Sequence, residues 1–248
     1  MKEHGVVADK LSVKLTRIRS RIDRSERVYR IIKDAVIHRQ FTPGVWIKQE
    51  QISQAIGISR TTVRPVLARL QSEGLIEARP RRGFRVVEFS QEELDDLFEV
   101  REVLETSFFI RSAKAIPLEE LQMTLTSLEN AENKMMEAEP DSELWDNRLR
   151  EYLELDRAFH DRLIEASGNK QWVQMYLNTR DKIDVIGYQA SYIPEQLSNA
   201  IDQHYRIIKA LLKQDFKNAE LIMREHIRNV RRSIKPGVAG HAGQTVHD

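Results

Sequence analysis

The 248-residue chain carries 39 Lys+Arg against 38 Asp+Glu, is 41% hydrophobic and contains no cysteine. It is long enough to bury the core of one or two domains, and without cysteine it has no disulfide and no thiolate ligand, which suits a reducing compartment. There is no apolar run of about 18 residues and no signal-peptide stretch in residues 1–10, so neither a membrane span nor export is expected, and the cytoplasm is the expected location.

The net charge of +1 hides a division. Residues 1–88 hold 19 Lys+Arg and 9 Asp+Glu, whereas residues 89–248 hold 20 and 29. A basic part followed by an acidic one points to a nucleic-acid module joined to a second module. Residues 1–24, with Lys14, Arg17, Arg19, Arg21 and Arg24, read as a basic arm, either solvated or touching phosphate. From Ser25, a candidate N-cap, the residues Val28, Ile31, Ile32, Ala35 and Val36 form a helical stripe that stops before Pro43-Gly44. A short helix with Ile52, Ala55 and Ile56 ends at Gly57. Ser59 then caps a third helix reaching about Glu73, in which Val63, Val66, Leu67 and Leu70 mark one buried face. Two short helices meeting at a glycine turn make a helix-turn-helix. Residues 75–78 and 84–87 read as strands around Arg79-Pro80-Arg81-Arg82-Gly83, a basic hairpin tip whose arginines can reach phosphates or a minor groove.

The third helix carries the chemistry of major-groove entry. Ser59, Arg60, Thr61 and Thr62 lie at its N-terminus, where free N–H groups and the helix dipole favour phosphate. Thr61 and Arg64 point away from the apolar stripe and Arg60 flanks it; an arginine pairs with guanine through two hydrogen bonds. In isolation these groups would read as caps and solvated charges, but the basic wing that follows favours DNA contact.

With Pro43-Gly44, the run Gly57 to Arg64, Glu73-Gly74-Leu75-Ile76 and Arg81-Arg82-Gly83-Phe84 in place, Val28–Val87 resembles the winged helix of the GntR family of bacterial repressors. The resemblance implies that Arg60 and Arg64 read bases, that Ser59, Thr61 and Thr62 grip phosphates, and that Gly83 sits at the wing tip. Two positions depart from the family. Pro65 stands where relatives usually carry glutamate and is expected to kink the helix by removing a hydrogen bond. Glu50 replaces an arginine that contacts DNA in some relatives.

Ser90 with Glu93 makes a capping box and opens an acidic module. Its periodicity suggests six helices, roughly 91–115, 117–138, 142–167, 170–190, 194–213 and 215–234, punctuated by Pro117, Pro140, Gly168, Pro194 and Asp215. The expected class is therefore mainly α: a basic arm (1–24), a winged helix-turn-helix (25–88), an all-α six-helix antiparallel bundle (89–235) and a glycine-rich tail (236–248) in which His241 and His247 are solvated.

Asp156 and His160 are four apart and share a helix face. His204 and His226 lie at matched distances before and after the turn near Gln214-Asp215, so in an antiparallel hairpin they stand at one height. Three imidazoles and a carboxylate suit a divalent transition metal, zinc first and nickel or manganese next. Each histidine alone reads as a core or surface residue before it reads as a ligand. Residues 94–232 resemble the FCD-type ligand-binding domain of the FadR branch, through Val100 to Glu105, Asp156 to His160, Ala166 to Asn169, and His204 with His226. The resemblance implies that Asp156, His160, His204 and His226 hold the ion and that an acidic metabolite faces it. Arg101 would then clamp the metabolite's carboxylate or, equally, pair with Glu105 at i, i+4. Six helices rather than seven point to the VanR-like subgroup.

The expected function is that of a homodimeric, non-enzymatic transcriptional repressor, binding operator DNA and released by a small organic acid. The rivals are a regulator that senses the ion alone, a metalloenzyme fused to a DNA-binding head, for which no general base is evident, and a non-specific nucleic-acid binder.

Overall fold

The computed structural model describes residues 24–234 apart from 39, 42, 81, 140–141 and 191–193. Most of the basic arm, Arg81, and the tail with His241 and His247 lie outside the described residues. The chain divides into two compact units, residues 1–87 and 88–248.

The first unit runs α1 (Arg24–Ile37), β1 (Trp46–Ile47), α2 (Gln49–Ile56), α3 (Arg60–Ser72), β2 (Ile76–Arg79) and β3 (Gly83–Val86). Val28, Ile32 and Val36 of α1, Ile52 and Ile56 of α2, and Val63, Leu67 and Leu70 of α3 are all buried. The helical stripes of the sequence are thus the core of this unit. Gly57 takes a left-handed φ of 72° and turns the chain between α2 and α3. Tyr29 donates its hydroxyl to the Glu73 carboxylate at 2.8 Å. The Arg69 guanidinium lies 3.5 Å from the Tyr29 ring centroid and bonds Glu26 at 2.7 Å, so α1 and α3 are clamped outside the core as well.

Two local readings differ from expectation. α1 begins at Arg24, which places Ser25 inside the first turn rather than at the cap. The sheet has three antiparallel strands in the order β1-β3-β2, with Trp46 opposite Arg85 and Ile47 opposite Phe84. A two-residue strand is too short to show alternation, which is why β1 went unseen. α3 is one helix through Pro65, which is exposed, while Val63, Val66, Leu67 and Leu70 hold the buried face.

The second unit consists of α4 (Gln91–Thr106), α5 (Phe109–Lys114), α6 (Leu118–Met136), α7 (Glu143–Glu165), α8 (Lys170–Ala190), α9 (Pro194–Leu212) and α10 (Phe216–Ser233). The capping box forms: the Glu93 N–H donates to Ser90 Oγ and the Ser90 N–H to the Glu93 carboxylate. The segment expected as one helix over 91–115 is broken at Ser107-Phe108, where Phe108 takes φ −111°, ψ 10° and packs edge-on to Trp172 at 4.8 Å. Seven helices, not six, therefore fall among the described residues of this unit, and helix number gives no support to the VanR-like subgroup. Leu128, Met135, Leu149, Ile207, Leu211 and Met223 anchor its core.

Between α7 and α8, three carboxylates share two guanidiniums. Arg157 reaches Asp181 at 3.5 Å and Asp184 at 3.1 Å, and Arg180 reaches Asp161 at 2.8 Å and Asp181 at 3.6 Å. Burial, assisted by the like charges of Asp181 and Asp161, outweighs the arginines and pushes the Asp184 carboxyl up to about 7. Its folded value lies above its unfolded one, so the folded chain holds the extra proton between about pH 4 and 7, and this contribution to stability is lost as pH rises through that window. Asp184→Asn is expected to gain on the wild type by about 2 kcal/mol between pH 5 and pH 8, measured by urea unfolding, after discounting for the side chain's 16% exposure. An equal difference at both pH values would remove Asp184 as the titrating group.

Candidate functional site

In the first unit, Ser59, Arg60, Thr61 and Arg64 are exposed along one side of α3 and Thr62 is half-buried. Ser59 occupies the N-cap position, but its hydroxyl makes no cap bond. It lies 2.8 Å from the Thr61 hydroxyl and 2.9 Å from that of Thr62. The three hydroxyls form a polar cluster at the positive end of the helix, where first-turn N–H groups receive no side-chain cap from Ser59. The Arg60 guanidinium donates to the Glu50 carboxylate of α2.

The wing is closed by a tight turn in which the Arg82 N–H donates to the Arg79 carbonyl at 3.1 Å. Gly83 sits opposite Arg79 with φ +100°, a conformation that favours glycine, and a Cβ there would stand a tight 3.1 Å from the Ile47 carbonyl oxygen. Arg79 and Arg85 both pair with Glu77, at 3.1 and 2.5 Å. Arg82 is exposed, its guanidinium 5.8 Å from the Trp46 ring. Arg81, placed in the DNA-contacting set from sequence, is outside the described residues.

In the second unit, α7 supplies Asp156 and His160, α9 His204 and α10 His226. The three histidines are buried, and each offers a ring nitrogen within 4.8 Å of the others. His160 Nε2 and His204 Nε2 stand 3.2 Å apart, and Asp156 Oδ1 is 3.0 Å from His204 Nε2 and 4.0 Å from His160 Nε2. Ligands about 2.0–2.1 Å from a tetrahedral zinc are about 3.3 Å from each other, close to the first two of these separations.

The opposite ring nitrogens are all engaged. His160 Nδ1 is 2.5 Å from Glu105 Oε2, His226 Nδ1 is 3.3 Å from Gln203 Oε1, and His204 Nδ1 is 3.4 Å from the Tyr152 hydroxyl. Carboxylate and amide oxygens only accept, so Nδ1 of His160 and His226 carries a proton, and in the neutral ring Nε2 is the nitrogen left to bind a metal. Asp156 Oδ1 is buried without a hydrogen-bond donor. Three imidazoles and a carboxylate oxygen converge at this range, and the proton that His204 Nε2 can share with Asp156 and His160 occupies the place a metal ion would take, so the residues fit a divalent metal ion.

The electrostatics place positive charge on the histidines beside Asp156, charge that a bound ion would replace. Burial disfavours the Asp156 carboxylate, but the His204, His160 and Arg101 charges outweigh it and hold its pKa well below the ordinary range. Glu105, also buried, is brought down to about 2 by Arg101 and His160. His226 is pushed well down by burial and by the neighbouring His204, His160 and Arg101, and stays neutral, the form a metal requires. His160 is raised: burial opposes its charge, but Glu105 and Asp156 prevail.

Arg101 makes the ion pair with Glu105 that its i, i+4 spacing allowed, and it also lies on a cavity wall. Its Nε donates to Glu105 Oε1 at 2.6 Å, and its side chain lines a cavity of about 570 Å³ whose wall includes Asp156, His204, His226, Gln203 and Tyr152. Glu105, Tyr152 and Gln203 were not foreseen as partners of the histidines. The Arg101–Glu105 spacing was the one available signal.

The FCD domain model matches residues 96–229, and that of bacterial regulatory proteins, gntR family, matches residues 24–86. The HTH-type transcriptional repressor RspR of Escherichia coli K12 is 24% identical over 214 residues, spanning 85% of this chain and 89% of its own. The HTH-type transcriptional repressor GlaR of the same strain is 23% identical over 224 residues, spanning 86% and 96%. Among solved structures, E. coli McbR/YncC aligns with TM-score 0.66 at 21% identity over 82% of this chain and 93% of its own, a likeness of fold alone. A GntR transcriptional regulator from Rhodococcus sp. RHA1 aligns with TM-score 0.71 at 18% identity over 85% and 96%. The chain belongs to the gntR family of bacterial transcriptional regulators, in the branch whose C-terminal domain is an FCD domain.

Proposed function

We propose that the protein is a homodimeric repressor whose hold on operator DNA is set by a small carboxylic acid bound beside a divalent metal ion in the helical domain. The observation that carries this reading is the shared wall: Asp156, His204 and His226 of the metal cluster and Arg101 line one cavity of about 570 Å³. Asp156, His160, His204 and His226 would hold the ion, zinc first by donor set. When bound, the ion supplies a Lewis-acidic anchor for a carboxylate. Arg101 adds a fixed positive charge to the same wall and keeps Glu105 in place against His160.

On the DNA side, Ser59, Thr61 and Thr62 take phosphates, Arg60 and Arg64 reach base edges, and Arg81, Arg82 and Gly83 form the wing's contact. Two chains, paired through their helical domains, would place two such heads on the halves of a near-palindromic site. The repressor sign follows RspR and GlaR, both named repressors. A protein that works on DNA in a bacterium works in the cytoplasm, and no helix among the described residues is long and apolar enough to cross a membrane.

The test is a gel shift on DNA upstream of the protein's own coding sequence, with zinc-loaded and metal-stripped protein and a panel of short hydroxy and keto acids. A shift by the loaded protein that retreats with one acid is expected. No shift in any state rejects the proposal, and a response to zinc alone selects the ion-sensing reading.

A further inference from the structure

Arg60 does not stand free at the head of α3. Its guanidinium is bound to the carboxylate of Glu50, ten residues earlier on α2, and both side chains are more than half exposed, at 62% and 55%. Glu50 is the one acidic residue of α2, and α3 has none. An anion on a surface that meets a polyanion weakens attraction to phosphate. An exposed ion pair also adds little to stability, so Glu50 does not earn its place by holding the fold.

What the pair does change is the behaviour of Arg60. An untethered arginine samples many rotamers and neutralises whichever phosphate is near, which strengthens binding to any sequence alike. A guanidinium whose Nη2 is bound by a carboxylate has its swing restricted and its other N–H groups left for a base edge, where a guanidinium fork matches guanine O6 and N7. Paired with Glu50, it also presents little net charge to the backbone. Specificity is a difference of affinities, and lowering the affinity for wrong DNA raises it as effectively as improving the right contact.

We infer that Glu50 is a positioning residue that holds Arg60 for a guanine edge and, by cancelling its charge toward phosphates, raises the ratio of sequence-specific to random DNA binding. This rests on the reading of α3 as the recognition helix. The departure of Glu50 from the arginine carried by some relatives is then an exchange of a phosphate contact for a sharper base contact.

The experiment uses the full chain. A preferred duplex is selected by the wild type from a randomised library. Its Kd and that of random-sequence duplex are then measured for wild type, Glu50→Ala and Arg60→Ala, together with every single base-pair change in the selected site. Both residues are exposed, and unchanged melting temperatures verify that the variants fold. In Glu50→Ala, affinity for random DNA is expected to rise severalfold and the selected-to-random ratio to fall about tenfold, the low end of what a bidentate arginine–guanine pair discriminates. The base pairs that lose preference should be those lost in Arg60→Ala. An unchanged ratio overturns the inference, as does loss of preference at base pairs that Arg60→Ala leaves intact, which would mean that Glu50 reads a base of its own. If the wild type enriches no sequence, the recognition-helix reading itself falls, an outcome distinct from either.

Discussion

In His160→Ala protein equilibrated with zinc and freed of loosely held ion, bound zinc is expected to fall from stoichiometric to background. His160 is one of the three buried imidazoles, and its Nε2 lies within 3.2 Å of His204 Nε2. Its loss leaves two imidazoles and Asp156, a weaker three-donor set with water in the vacated position, so the ion is given up to the chelator that frees the protein of loosely held metal. The scaffold is expected to survive, because Glu105 keeps its buried bond to Arg101 when the imidazole is removed. The companion measurement is thermal: an ion that binds only the folded chain adds roughly 2.7 kcal/mol of stability at a hundredfold excess over its dissociation constant. Zinc should therefore raise the wild-type melting temperature and leave that of His160→Ala in place. An equal rise in both proteins would take the imidazole out of the ion's shell.

The second large effect is expected at Arg64→Ala. Arg64 is exposed on α3 on the side away from Val63, Val66, Leu67 and Leu70. No bond to another protein group is assigned to it among the described residues, so its loss should leave folding unchanged. If the guanidinium meets a guanine, affinity for the operator falls by about 10- to 100-fold while affinity for random duplex falls much less. If it meets a phosphate, both fall together and the slope of log K against log salt flattens by roughly one. Titrations at several salt concentrations separate the cases, and an unaltered operator affinity would remove Arg64 from the interface.

What was legible in the sequence follows from what periodicity encodes. The apolar stripes at Val28–Val36 and Val63–Leu70 reported their own burial, because a helix must hide one face wherever it sits. Asp156 with His160, and His204 with His226, were legible for the same local reason: one pair shares a helix face and the other straddles a hairpin turn symmetrically. The Nδ1 partners were not legible. Glu105 meets His160 across 55 residues and Tyr152 meets His204 across 52, and spacing within a helix does not say which helix it will lie against. The break at Phe108 was missed because helix propensity continues through Ser107, and it is the packing of the Phe108 ring on Trp172 that departs from it. Ser59 occupied its cap position but turned its hydroxyl to Thr61 and Thr62, a choice between acceptors that residue type alone does not make.

The cluster on α7, α9 and α10 offers only imidazole nitrogen and carboxylate oxygen, in a chain without a single cysteine. Peroxide strips many zinc sites by converting their sulfur ligands to sulfenic acid, and that chemistry has nothing to act on here. A cell under oxidative stress therefore has no thiol route to this regulator. The bench consequence is equally direct: the protein needs no dithiothreitol, itself a zinc chelator, so its metal content can be measured without a competing reagent.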